Sequence, residues 1–218
     1  MITASILLFL ISLIIMMSFL MLMQTRIFNL VKLLILQNIV LTAYILCQTS
    51  VHPGLELYLS LGITFIIKVI ILPWALWMLV TYLKLTQHIE PLINKPTLQL
   101  VGIFLVIFAL LLGHQIEPAI GQQSVVSFSL SLANSLLALL LIIFRRNAIS
   151  QVIGLLILEN SIFLLSITLT QGFPWLVELG IGFDVLIGAM IFGLFLIRIR
   201  MTHGSLQTVH LEKLKEQA

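Results

Sequence analysis

Long apolar runs separated by short polar breaks occupy almost the whole chain. Each run is close to the roughly 20 residues that an α-helix needs to cross about 30 Å of hydrocarbon. The runs fall near residues 3–23, 29–47, 57–83, 98–116, 125–144, 148–170 and 174–197. The first run has no small-residue cleavage site, so we expect it to remain as a helix. The pattern predicts an all-α polytopic membrane protein of about seven transmembrane helices, with a kink at Pro73 in the third.

The composition excludes a soluble domain and most cofactor sites. Of the 218 residues, 61% are hydrophobic and 9% are charged, whereas soluble domains are about 25% charged. The single cysteine, Cys47, rules out an internal disulfide and an iron–sulfur cluster held by this chain alone. The five histidines, which lie in or beside the breaks, are His52, His88, His114, His203 and His210. Since no two of them share mid-membrane depth, paired haem ligation is disfavoured, and we expect no cofactor, no metal and no active site in this chain.

Basic residues mark alternate connections between the runs. They are Arg26, Lys32, Lys84, Lys95, Arg145, Arg146, Arg198, Arg200, Lys213 and Lys215. The second, fourth and sixth connections carry no lysine or arginine. The positive-inside rule then places the N-terminus outside and the C-terminus in the cytoplasm. We expect the membrane to be a bacterial inner membrane. Basic residues at helix ends also fit membrane orientation better than nucleic-acid binding, which the net charge of +3 would otherwise suggest.

Besides Lys32 at the beginning of the second run, four charged residues lie inside the predicted helices. Lys68, Glu159 and Asp184 each lie roughly 15 Å into their runs at 1.5 Å per residue, close to the bilayer midplane. Glu178 lies nearer the outer surface. A charge at the bilayer centre costs about 2.5 to 3.5 kcal/mol on insertion scales, so groups kept there usually have a function. A buried carboxylate favours its neutral form and a nearby cation reverses this preference, so we predict that these four residues form a proton relay.

Structural explanations of the same residues remain open at this point. Glu159 could make an interhelical hydrogen bond with Asn160, and Lys68 could pair with a carboxylate to assist assembly. Glu178 could extend toward water at the membrane surface. Polar residues that could support the relay or join helices are Gln37, Asn38, Asn134 and Asn160.

An internal repeat divides the chain into two related parts. The segment LLILQN at 33–38 recurs as LLILEN at 155–160, and SLGITF at 60–65 aligns with ELGIGF at 178–183. Both pairs predict parallel three-helix units joined by a connecting helix. The predicted division is a first unit at 1–97, a connecting helix and outer loop at 98–124, a second unit at 125–200 and a cytoplasmic tail at 201–218.

The second unit carries the acids that the first unit lacks. Gln37 stands in the place of Glu159, and Ser60 in that of Glu178. The second unit reads GLLILEN after a basic turn and then FDVLIGAMIFGL, with Asp184 four residues before a glycine. This part of the sequence resembles the small three-helix K-type (4L) subunit of respiratory complex I. Over its whole length the chain resembles the hydrogenase-4 component E family, which is found in complex I-like membrane assemblies.

The resemblance implies a specific role for the acids. The small subunit has one glutamate in each of its last two helices, and these belong to a hydrated line of buried charges along the membrane arm. Glu159 matches the first of them, and Asp184 corresponds to the second, although it is an aspartate. Glu178 has no counterpart in the small subunit, so the second role stays open between Asp184 and Glu178. The resemblance also implies partners, namely antiporter-like membrane subunits and a hydrogenase-like redox arm.

Three functions follow from these observations. The first is a non-catalytic subunit of a complex I-like assembly that contributes to proton translocation coupled to redox chemistry on other subunits. The second is a subunit of a multisubunit cation/proton antiporter, which has no redox arm. The third, a free-standing transporter, is disfavoured because Pro73 has no matching proline in the seventh run.

Overall fold

The computed structural model describes residues 2–51, 61–62, 65–82, 93–120, 122–145 and 147–170, together with Gly182 and Gly193 as single helical positions. Within this part of the chain the structure contains helices and no strand, which confirms the all-α prediction. The helices are α1 (Ile2–Met23), α2 (Ile27–Val51), a π-helical segment (Phe65–Ile71) that continues as α3 (Leu72–Tyr82), α4 (Lys95–Ile120), α5 (Gln122–Phe144) and α6 (Ala148–Thr170).

Five of the described helices are long and apolar enough to cross a membrane. These spans are Ser5–Met23, Ile27–Gln48, Lys95–Pro118, Val125–Phe144 and Ile149–Leu169. They correspond to the first, second, fourth, fifth and sixth predicted runs, so the chain is a membrane protein with several spans. Of the third run, residues 61–62 and 65–82 are described, and its other residues lie outside the described part of the chain. Apart from Gly182 and Gly193, the seventh lies outside the described residues, so the total of seven stays a prediction.

Local sequence signals explain where two helices begin. Asn147 caps α6, because its Oδ1 accepts a hydrogen bond from the N–H of Ile149 at 2.9 Å. Pro96 is the second residue of α4, a position whose N–H would have no partner in the helix. The helices extend further into the predicted break at 118–124 than expected, since α4 includes Pro118 and α5 begins at Gln122. Pro118 lies in the last turn of α4, where it removes the N–H that would bond to the carbonyl group of His114.

The helices α1, α2, α5 and α6 pack around a common centre, and α4 packs outside them against α5 and α1. Arg145 fixes the relative direction of these helices. Its guanidinium group lies at the connection between α5 and α6 and donates hydrogen bonds to the carbonyl oxygens of Met21, Leu22 and Gln24, at 3.1, 3.0 and 2.6 Å. The turns that follow α1 and α5 therefore lie at the same end of the bundle. It follows that α2 and α6 run in the same direction.

Arg145 is 1% exposed, and its positive charge faces the carbonyl end of α1. A cation in this position is stabilised by the helix dipole and by the unpaired carbonyl groups of the last turn. Burial lowers the pKa of the Arg145 guanidinium from its ordinary value, but arginine stays protonated in proteins. The contact thus ties the first pair of helices to the second.

Glycine allows α6 to approach α5 closely. A Cβ atom added at Gly154 would lie 2.7 Å from Ile142 Cγ1, 3.3 Å from the Ile142 backbone nitrogen and 3.4 Å from the Ala138 carbonyl oxygen. Small residues at such contacts are typical of membrane helix pairs, which depend on van der Waals packing. Gly154 lies little more than one turn before Glu159, so this contact sets the distance between α5 and the middle of α6.

We expect Gly154→Ala to lower the stability of the protein in detergent by about 1 to 3 kcal/mol, because the added methyl group overpacks the contact with α5. Gly62→Ala is the matched control, since a Cβ atom at Gly62 meets no atom of the described residues within 4 Å. Both changes favour the helical state to a similar extent, so the difference between their melting temperatures measures the steric cost. Equal melting temperatures for the two variants would contradict the close approach of α5 and α6.

Candidate functional site

The described part of the chain contains an ion pair buried between two helices. Lys68 Nζ lies 3.3 Å from Glu159 Oε1, and each side chain is 4% exposed. Lys68 belongs to the π-helical segment, and Glu159 lies near the middle of α6, roughly 16 Å from its first residue at 1.5 Å per residue. The structure therefore brings together two of the four residues predicted to form a relay. The other two, Asp184 and Glu178, lie outside the described residues.

The pair has few other polar contacts. Among the described residues, neither Glu159 oxygen accepts a hydrogen bond, and Lys68 Nζ donates none. The ring of Phe163, one turn further along α6, has its centroid 5.1 Å from Lys68 Nζ. Removing two charges from water is costly, and their mutual attraction must offset this cost. Each charge of the pair therefore depends on the other, and a proton gained by Glu159 would leave Lys68 without its counter-charge.

Two asparagines join the helices that carry the pair. Asn38 of α2 donates a hydrogen bond from Nδ2 to the carbonyl oxygen of Lys68 at 2.6 Å. Asn160, which follows Glu159 in α6, donates from Nδ2 to Asn38 Oδ1 at 2.7 Å. The two residues occupy the same position in the repeat and meet directly in the bundle. They form a hydrogen-bonded chain from the neighbour of Glu159 to the backbone of Lys68.

Pro73 explains why Lys68 needs this bond. In a π-helix the N–H of residue i+5 bonds to the carbonyl of residue i. For Lys68 that residue is Pro73, which has no N–H. The amide of Asn38 supplies the missing donor. Besides any kink at Pro73, the third run therefore contains a π-helical segment directly before the proline, and such segments are frequent at functional sites.

A second polar cluster lies between α1, α2, α5 and α6. Gln37 Nε2 donates to Ser18 Oγ at 2.9 Å, and Ser18 Oγ donates to Asn134 Oδ1 at 2.5 Å. Asn134 Nδ2 then donates to Ser161 Oγ at 2.6 Å. All four side chains are at most 3% exposed. Gln37 was expected to support the relay or to join helices, and its hydrogen bonds join α2 to α1 in this neutral cluster.

Sequence reasoning missed three residues of these clusters. Phe163 and Ser161 lie four and two residues after Glu159. The spacing of four places Phe163 on the same helix face as Glu159, so this contact had a sequence signal. Ser18 had none, because a serine in an apolar run does not reveal which neighbour it faces.

Comparison with known proteins finds two groups of relatives. The chain is similar to an uncharacterized protein of Mycobacterium tuberculosis, with 31% identity over 163 residues, which covers 72% of this chain and 71% of that protein. It is similar to hydrogenase-4 component E of Escherichia coli, with 25% identity over 183 residues, which covers 82% of this chain and 83% of the relative. Hydrogenase-4 component E of Shigella flexneri gives the same values. No family model and no solved structure matches the chain.

We expect Asn38→Ala to destabilise the protein by about 1 to 3 kcal/mol, because it leaves the Lys68 carbonyl and the Asn160 amide buried without partners. Pro73→Ala restores a backbone N–H near that carbonyl. The effect of Asn38→Ala should therefore be smaller by about 1 kcal/mol in the Pro73→Ala background, as a double-mutant cycle of unfolding free energies would show.

The control for this cycle is Asn29→Ala, which removes a hydrogen bond to Gln24 near the beginning of α2. Its effect should be the same with and without Pro73→Ala. If the Asn38 and Pro73 changes are also additive, Asn38 does not replace the missing donor.

Proposed function

Since this chain belongs to the hydrogenase-4 component E family, we propose that it is a non-catalytic membrane subunit of a complex I-like redox assembly and takes part in proton translocation. The observation that carries this proposal is the buried pair of Lys68 and Glu159. The redox chemistry belongs to other subunits, and antiporter-like membrane subunits and a hydrogenase-like arm are the partners that we propose.

The pair has the properties that a proton relay needs. Glu159 has a carboxyl group that can bind or release a proton, and the ammonium nitrogen of Lys68 lies 3.3 Å from its Oε1. A change of charge at a neighbouring group therefore shifts the proton occupancy of Glu159, and a proton on Glu159 changes the charge that this neighbour experiences. The neighbouring group that we propose is Asp184 or Glu178 of the last run.

The basic residues of the described helices support the proposed orientation. Arg26 and Lys32 are exposed at the beginning of α2, and Arg145 lies at the corresponding connection before α6. Because both connections lie at one end of the bundle, these charges gather on one side. The positive-inside rule makes this side cytoplasmic, with the N-terminus on the opposite side of the bacterial inner membrane.

A pair of variants separates a relay from a structural ion pair. Glu159→Gln leaves the charge of Lys68 buried and unpaired, so we expect it to destabilise the complex by about 3 to 5 kcal/mol. Lys68→Met combined with Glu159→Gln removes both charges, and its stability should return to near that of the wild type. Proton translocation should be lost in both, because both lack the carboxylate. The measurements are the melting temperature of the purified complex and redox-driven proton uptake by inverted membrane vesicles.

The matched control for this experiment is Gln37→Leu. It changes a buried polar residue at the equivalent position of the repeat, away from the ion pair, so it should lower stability and retain proton translocation. A double variant that is stable and still moves protons at the wild-type rate would show that the ion pair serves assembly alone.

A further inference from the structure

Lys68 faces two different side chains of α6. Glu159 Oε1 lies 3.3 Å from its ammonium nitrogen, and the centroid of the Phe163 ring lies 5.1 Å from it. Phe163 is 2% exposed and Lys68 is 3% exposed, so the contact between the ring and the ammonium group is buried. An aromatic ring presents a negative face that attracts a cation at this distance, and the attraction is strongest where both groups are desolvated.

A proton on Glu159 would remove the negative charge next to Lys68. In the described part of the chain, the helices packed against the π-helical segment carry one other charged side chain, Lys32, which is exposed and about 9 Å along α2 from Asn38. The other titratable groups of these helices are Tyr44 and Cys47 of α2 and Tyr82 of α3. The oxygen of Asn38 already accepts a hydrogen bond from Asn160. Among the described residues, Phe163 is therefore the group that stays in contact with the ammonium when Glu159 is neutral.

We propose that Phe163 is a positioning residue that keeps Lys68 charged and in place during the steps in which Glu159 carries a proton. The proton that moves through the pair is then held by Glu159, while Lys68 remains a fixed cation. This inference rests on the proposed function, since it assigns the role of a residue within the same relay. It also explains why the ring is placed one turn from the carboxylate: both groups must reach the same ammonium.

Fluorinated phenylalanines test this role, because fluorine weakens the negative face of the ring and hardly changes its size. We expect a series from phenylalanine to trifluorophenylalanine at position 163, built into the complete complex, to slow redox-driven proton translocation step by step. Trifluorophenylalanine should lower the rate about tenfold relative to phenylalanine. A tenfold change is the size expected when the attraction between a desolvated cation and an aromatic ring is lost. The same series at Phe19, which packs against the core near Gly102, is the control and should leave the rate unchanged.

Thermal stability gives a second measurement that does not depend on proton movement. Glu159→Gln imitates the protonated carboxyl group, so fluorination at position 163 should lower the melting temperature more in this variant than in the wild type. In the Lys68→Met/Glu159→Gln variant no cation faces the ring, and the series should have no effect. If Glu159→Gln does not assemble, the comparison of the wild type with the double variant still measures the contact.

The outcomes distinguish this inference from the function on which it rests. Suppose that rates and melting temperatures do not change along the series, while the Lys68→Met/Glu159→Gln variant has lost proton translocation. This result would leave the proposed function standing and overturn the role of Phe163. Equal effects of fluorination with and without Lys68 would also overturn it, because the ring would then act through packing. A double variant that still translocates protons would overturn the proposed function and this inference together.

Discussion

The attraction between Lys68 and Glu159 is the constraint to which the surrounding structure is fitted. In hydrocarbon neither charge has water as an alternative partner, so a small separation of the two helices would cost each charge its stabilisation. The side chains around the pair limit such a movement. Asn38 binds the backbone of Lys68 at 2.6 Å, and Asn160 holds Asn38 from the residue next to Glu159. The ion pair and the two asparagines thus join the same helices through different atoms.

This arrangement depends on backbone features that lie away from the charges. Pro73 removes the donor that the Lys68 carbonyl would use in a π-helix, and the free carbonyl is then available to Asn38. The contact also requires α2 and α6 to run in the same direction, so that Asn38 and Asn160 meet at equal depth. Arg145 enforces that direction at the end of the bundle by binding the last carbonyl groups of α1. The geometry of the pair is therefore determined by one proline, one arginine and two amides.

The sequence predicted how far along its helix each polar residue lies better than it predicted which neighbour each side chain faces. Apolar runs and the rise of 1.5 Å per residue placed Lys68 and Glu159 at one level, and the structure has them in contact. Helices that are apolar on all sides carry little information about which face meets which neighbour. Gln37 was expected to support the relay or to join helices, and it faces a different neighbour from Asn38 because consecutive residues of a helix point about 100° apart. Its partner Ser18 comes from α1, which the pattern could not indicate.

The two copies of the repeat show why one position carries an acid and the other an amide. Position 37 faces hydroxyl and amide groups of Ser18 and Asn134, which satisfy a neutral side chain. A carboxylate at this position would have no cation among these partners and would favour its protonated form. Position 159 faces Lys68, so an ionised carboxylate is stabilised there. The two copies therefore differ at this position because Lys68 on the π-helical segment faces position 159 and not position 37. An acid is accommodated at position 159, and an amide at position 37.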